Sequence, residues 1–163
     1  MNDLLYSFGE WLETTPWAHA MEYSPHIFPL VSALHYFSVF LVVGTVVALD
    51  LRVLGLAGRR QSVTQVAEQL FPWIWTGLAL AFLSGFLMFS PGAGELFQTL
   101  FFIPKLVASV LAGVSVLVIQ QNVRKWDQPP AIPILAKLAA VISLALWIAA
   151  LFTSVEVGQF VGV

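Results

Sequence analysis

At 163 residues the chain has room for one domain, and 59% of it is apolar against 10% charged, well under the charged share of a soluble domain. A formal charge of −2 without any basic patch excludes a nucleic-acid binder that follows phosphates. The absence of cysteine excludes disulfides, thiolate metal sites, cysteine nucleophiles and covalent haem attachment.

Residues 1–25 carry no Lys or Arg and contain Asp3, Glu10, Glu13 and Glu22, which is not the pattern of a cleavable signal. Insertion is therefore expected through the chain's own hydrophobic helices. Leu4, Leu5, Phe8, Trp11 and Leu12 recur at helical spacing opposite Asn2, Asp3, Ser7, Glu10 and Glu13. The spacing predicts that residues 1–25 form an amphipathic segment on the outer surface of a bilayer or of the bundle. Thr15-Pro16 and Ser24-Pro25 each have the form of an N-cap followed by proline at the first helical position. A short second helix carrying Trp17, His19 and Met21 is expected between them.

Residues 26–163 form the second unit. A membrane-crossing helix needs about 20 mostly apolar residues, and four runs qualify, roughly 27–49, 70–90, 101–121 and 132–154. Pro-Gly-Ala-Gly at 91–94 and Gln-Pro-Pro-Ala at 128–131 read as breaks between spans. "RVLGLAGRRQSVTQVAEQ" is the longest polar connection. Backbone in lipid must satisfy its own hydrogen bonds, and no run alternates like a barrel strand. The expected fold is all-α, an integral membrane four-helix bundle with an N-terminal amphipathic interfacial helix.

Orientation is read from the positive charges. Arg52, Arg59 and Arg60 lie between spans 1 and 2, Arg124 and Lys125 between spans 3 and 4, and Lys137 near the same end of span 4. The opposite side has no Lys or Arg outside the spans. Both termini are expected on that outer side, periplasmic if the membrane is the inner membrane of a Gram-negative bacterium. Trp73, Trp75 and Trp126 fall at the inner boundary, where amphipathic rings are favoured.

The chemistry gathers in "SPHIFPLVSALHYF", residues 24–37. His35 lies about 12 Å along the first span, a depth at which ionisable groups are costly and by default functional. The plainer alternative is a neutral histidine bridging helices through Ser32, Ser84 or a backbone carbonyl. His26 sits at a helix start, where the dipole disfavours imidazolium and a neutral ring is free to ligate. The two are nine residues apart, about 13.5 Å of rise and half a turn of rotation. One haem therefore cannot be clamped between them within a straight helix. His26 and His35 mark separate centres or take partners from other segments or another subunit.

Candidate partners lie on the same outer half: Lys105, Met21, Tyr23, Tyr36, Met88 and Glu95. Lys105 is the one cation on that side. It either snorkels to the surface or balances an anionic group such as a haem propionate or Glu156. Asp50 ends the first span with a charge opposed to the helix dipole, so pairing with Arg52, Arg59 or Lys137 as a structural anchor is expected.

The first span resembles an uncharacterised family of small bacterial four-helix integral membrane proteins. The likeness lies in the proline-led "YSPHIFPLVSALH", Gly44 and "DLRVLGL" at 50–56, followed by "SGFLMF" and "FFIPKL". It spans roughly residues 23–120 and implies fold and topology but no reaction. Cytochrome b561-like proteins offer a looser analogy, but a cage of two histidine pairs is excluded with one histidine deep in a span. Copper-resistance D-type membrane proteins share His and Met on the outer half of a small helical bundle.

Three functions remain open. The leading expectation is a small membrane cytochrome holding one or two b-type haems through His35, with His26 and His19 as further ligands and Lys105 and Tyr36 beside the cofactor. Such a protein transfers electrons rather than catalysing a reaction. The second is binding or transport of copper or another metal by His19, Met21, His26, His35 and Met88, although the polar trail stops near His35. The third is a non-catalytic accessory subunit. Gly44, Gly77, Gly85, Ala108, Ala112 and Gly113 offer small faces for helix packing, and a homo-oligomer is expected. No serine–histidine–acid group, phosphate loop or zinc-helix motif supports a hydrolase.

Overall fold

The computed structural model describes the backbone of residues 2–58, 60–127 and 131–161, and the side chains of 4–58, 60–127 and 131–155. The helices are α1 (Asn2–Glu13), α2 (Pro16–Tyr23), α3 (Ile27–Val53), α4 (Val63–Phe89), α5 (Ala93–Leu96), α6 (Phe102–Trp126) and α7 (Ile134–Val161), with a 3₁₀ turn at Ser90–Gly92. No strand occurs among the described residues. By length and composition α3, α4, α6 and α7 can each cross a membrane. Phe40 and Phe82 stand 73% and 80% exposed on the outside of the bundle. Surfaces of that kind fit lipid rather than water. The chain is an all-α four-helix bundle of the multi-pass membrane type.

α3 packs along α4 and α6 along α7, and these two hairpins meet where α3 faces α7 and α4 faces α6. The end at which α3 and α6 finish carries Arg52, Arg60, Arg124 and Lys125, with Lys137 at the start of α7. It is termed the basic end, and the opposite one the far end. Gly77 lets α3 and α4 approach, since a Cβ there would lie 2.6 Å from Val42 Cγ2 and 3.3 Å from the Ser38 carbonyl oxygen. Gly44 and Gly113 face open space instead.

Several boundaries differ from those expected. The helix that carries the second span starts ahead of it: α4 begins at Val63, where Ser62 and Gln65 form a reciprocal capping box. Most of the polar stretch after Arg60 is thus the first two turns of a helix. The 91–94 break is a tightening of the helix path, continued by the 3₁₀ turn and α5. Of the second break, residues 128–130 lie outside the described residues. Ser24 Oγ does accept from the Ile27 N–H at 3.4 Å, but the residue preceding α3 is His26, whose side chain makes no capping bond. The short helix after Thr15-Pro16 forms as α2.

Asp127, just past α6, fastens the two hairpins at the basic end. Its Oδ1 and Oδ2 accept from the Val63 and Thr64 N–H groups at 3.1 and 2.9 Å, two donors that the start of a helix leaves unpaired. Arg124 pairs with Glu68 at 2.8 Å, and the Trp75 indole N–H donates to Gln120 Oε1 at 3.0 Å. Desolvation pushes the Asp127 carboxyl upward, but the backbone and side chain of Thr64, the Val63 N–H and the Ser62 hydroxyl outweigh it and hold it below the usual value. This contribution is present above the unfolded carboxyl's pKa and is lost as pH falls through the lower folded one. Asp127→Ala is expected to destabilise the bundle by about 1 kcal/mol, read as a lower thermal midpoint in detergent at neutral pH. The difference from wild type should shrink in acid.

α1 lies across the Ser90–Leu96 segment at the far end, and Leu4, Phe8 and Trp11 stay exposed on it. Leu12 is buried, Gly9 meets the Gly94 backbone, and Glu13 Oε1 accepts from the Gly94 N–H at 2.9 Å. Phe89 and Phe102 stack on each other, Phe97 meets both edge-on, and Phe8 of α1 contacts Phe97.

The contiguous apolar core fills the basic-end half, running from Val42 to Val53 on α3, Val63 to Ile74 on α4 and Ala112 to Val123 on α6, with Ala136, Ala140 and Trp147 from α7. Nearer the far end α3 and α4 bury serines instead: Ser32, Ser38 and Ser84.

Among the described residues Asp50 pairs with neither Arg52 nor Lys137, two of the three partners expected for it. Glycines 55 and 58, both at positive φ, fold the loop back over Arg52, whose Nε and Nη2 donate to the Gln61 carbonyl. Lys137 is exposed, and Arg59 lies outside the described residues. The Asp50 carboxyl is fully buried, and among the described residues neither oxygen has a hydrogen-bond partner.

Candidate functional site

His35 stands in the third turn of α3, half-buried, at the level where the apolar core gives way to serines. Its Nδ1 lies 3.0 Å from Ser84 Oγ on α4. The Ser84 hydroxyl has one proton, and it donates that proton to the Leu80 carbonyl at 2.6 Å. Ser84 Oγ is therefore an acceptor toward the imidazole, and the Ala81 carbonyl is a second acceptor beside the ring. The hydrogen-bond network assigns the neutral ring an Nδ1–H. Nε2 is left with its lone pair, and a histidine held through its other nitrogen in this way is arranged as histidine ligands to metals are.

The ring packs closely on α4. Gly85 lies directly against it, and a Cβ there would sit 3.0 Å from His35 Cε1. Ser32, one turn earlier on the same helix, has a buried hydroxyl with no hydrogen-bond partner. Lys105, in the first turn of α6 and half-buried, is close enough to act electrostatically on His35. It makes no ion pair among the described residues, and the side chain of Glu156, named above as its alternative partner, lies outside them.

The other candidates are not brought to His35. His19 is exposed and stacks on Tyr23, with ring centroids 5.7 Å apart. His26 is exposed where α3 begins. Tyr36 turns mostly outward and meets the His35 ring edge-on at 6.1 Å. Met21 is buried in α2, away from solvent. Met88 is half-buried one turn beyond Ser84 on the same face of α4. Among the described residues no three His, Asp or Glu side chains gather closely enough to hold a metal ion.

The Ser84 bridge is among the partners the sequence allows, whereas the commitment of its proton is visible only in three dimensions. Ser143 and Trp147, buried on α7 without partners, escaped the sequence reading. The available signal was a tryptophan at mid-span, away from the interfacial belts where that residue concentrates.

Fold and site together define a small helical membrane bundle with a single oriented histidine in its far half. The chain belongs to a family of unknown function, DUF6644, whose model matches residues 8–162. No curated protein and no solved structure matches it.

Proposed function

We propose that this protein is a small membrane cytochrome, holding a b-type haem non-covalently in the far half of the bundle. The observation that carries the reading is His35, with Nδ1 engaged by Ser84 and Nε2 left free, beside an unpartnered buried serine and a lysine. The residues present fit the group. Imidazole is a common axial ligand of haem iron, and Ser32 and Lys105 suit the two ends of a propionate contact, hydrogen bond and charge. Met88, half-buried one turn beyond Ser84 on α4, would be the thioether available as a second ligand. Bound there, haem supplies one-electron chemistry, while α3 and α4 orient the ligand and exclude water. Exposed His19 and His26 are surface groups in this scheme, and one haem per chain is the number it supports.

The same reading puts the basic end on the cytoplasmic side of a bacterial inner membrane, by the excess of Lys and Arg there. The termini, the haem and a redox partner then lie toward the periplasmic face. A homo-oligomer accords with the exposed apolar faces. The test is an absorption spectrum of detergent-purified, haem-supplied protein before and after dithionite, with iron and copper quantified on the same sample. A Soret band that sharpens on reduction, with about one iron per chain, is expected. A colourless sample overturns the proposal, and bound copper in that sample turns it to metal handling.

A further inference from the structure

The basic-end half holds a second polar group that the haem reading does not use. Asp50 is 0% exposed, and among the described residues neither carboxyl oxygen has a partner. Beside it on α7 stands Ser143, also fully buried, whose hydroxyl faces the carboxyl without closing a hydrogen bond. Trp147, one turn along the same face of α7, has an indole N–H likewise buried and unpaired. Three orphaned polar side chains in one otherwise apolar core are unusual, since buried polar groups are hydrogen-bonded as a rule.

The charged groups on the surrounding elements are engaged or turned away. On α3, Arg52 donates to the Gln61 carbonyl. On α4 and α6, Glu68 and Arg124 pair at the exposed surface, Lys125 is exposed, and Asp127 accepts from the start of α4. On α7, Lys137 is exposed, and in the loop Arg60 is exposed. Among the described residues no cation neutralises Asp50. An ionised carboxylate stripped of water and of a counter-charge is too costly to persist. The group set is complementary in another way: a carboxyl, a hydroxyl and an N–H are the two to four partners an internal water requires.

We infer that Asp50 is a proton-carrying group, a carboxylic acid buried in the basic-end half and linked through internal water to the Ser143 hydroxyl and the Trp147 indole. Its proton comes from bulk water at the basic end and returns there. Asp50 lies one turn from the end of α3, so the path is about 5 Å long at the helical rise. The inference is independent of haem, because none of these residues touches the His35 site.

The experiment is infrared spectroscopy of the full chain reconstituted in lipid, without added haem. At neutral pH the wild type is expected to show the carbonyl stretch of a protonated carboxylic acid. That band should be absent in Asp50→Asn, displaced in frequency in Ser143→Ala, and bleached as pH is raised. Asp50→Asn preserves shape and neutrality, so its thermal midpoint should equal or exceed that of the wild type. Identical spectra for wild type and Asp50→Asn overturn the inference. Should that variant not accumulate, the Ser143→Ala band decides, since an unmoved band there counts against the inference.

Discussion

Replacing His35 with alanine is expected to abolish haem retention, leaving a colourless bundle that still folds. The side chain makes one hydrogen bond across to α4, to a serine whose own proton is already satisfied by Leu80, so the helix pair loses little when it goes. A haem bound as proposed would lose its imidazole ligand, since His19 and His26 are exposed and do not meet His35. Ser84→Ala is the sharper test of mechanism. It leaves the ligand in place but removes the acceptor that fixes its tautomer, and loss of such an outer partner typically weakens metal affinity about 10- to 100-fold. Titration of purified chain with haem, followed at the Soret band, reads both variants. His19→Ala and His26→Ala serve as the contrast, both rings being exposed, and should titrate like the wild type. A spectrum lost in His26→Ala but kept in His35→Ala would move the site to the surface.

The second large effect is expected from a single methyl group. A Cβ at Gly9 would fall 2.6 Å from the Gly94 nitrogen, 2.7 Å from its Cα and 2.8 Å from the Ala93 carbonyl carbon. All three are backbone atoms, so no side chain can swing aside. Gly9→Ala must lift α1 from α5, and the Glu13–Gly94 hydrogen bond goes with it. Overpacking of this kind costs about 1–3 kcal/mol. The expected result is rapid proteolytic cleavage within the first 15 residues and a lowered thermal midpoint. Gly44→Ala and Gly113→Ala are the controls, since nothing lies within 4 Å of a Cβ at either place. They should match or slightly exceed the wild type, because alanine is the better helix former.

The legible part of this molecule is what hydropathy and spacing encode. Four spans, the amphipathic start and the α2 turn after Thr15-Pro16 follow from run length, helical periodicity and proline chemistry. Local capping was legible too, in Ser62 and Gln65, but apolar run length alone marks the span and not the start of the helix that carries it. Asp50 shows the limit. A carboxylate two residues from an arginine reads as an ion pair, yet two left-handed glycines turn that arginine toward a loop carbonyl. Such a choice depends on loop path, which periodicity does not report. The importance of His35 follows from depth alone, whereas its tautomer depends on where a serine 49 residues away sends its proton.

α1 also carries a consequence for the order of events during synthesis. It is made before α3 and α4, but its seat, the backbone around Gly94, emerges 81 residues after the Glu13 that grips it. Docking must therefore wait until α3 and α4 have both been made and threaded into the bilayer. Throughout that interval Leu12, buried once α1 is docked, stays uncovered.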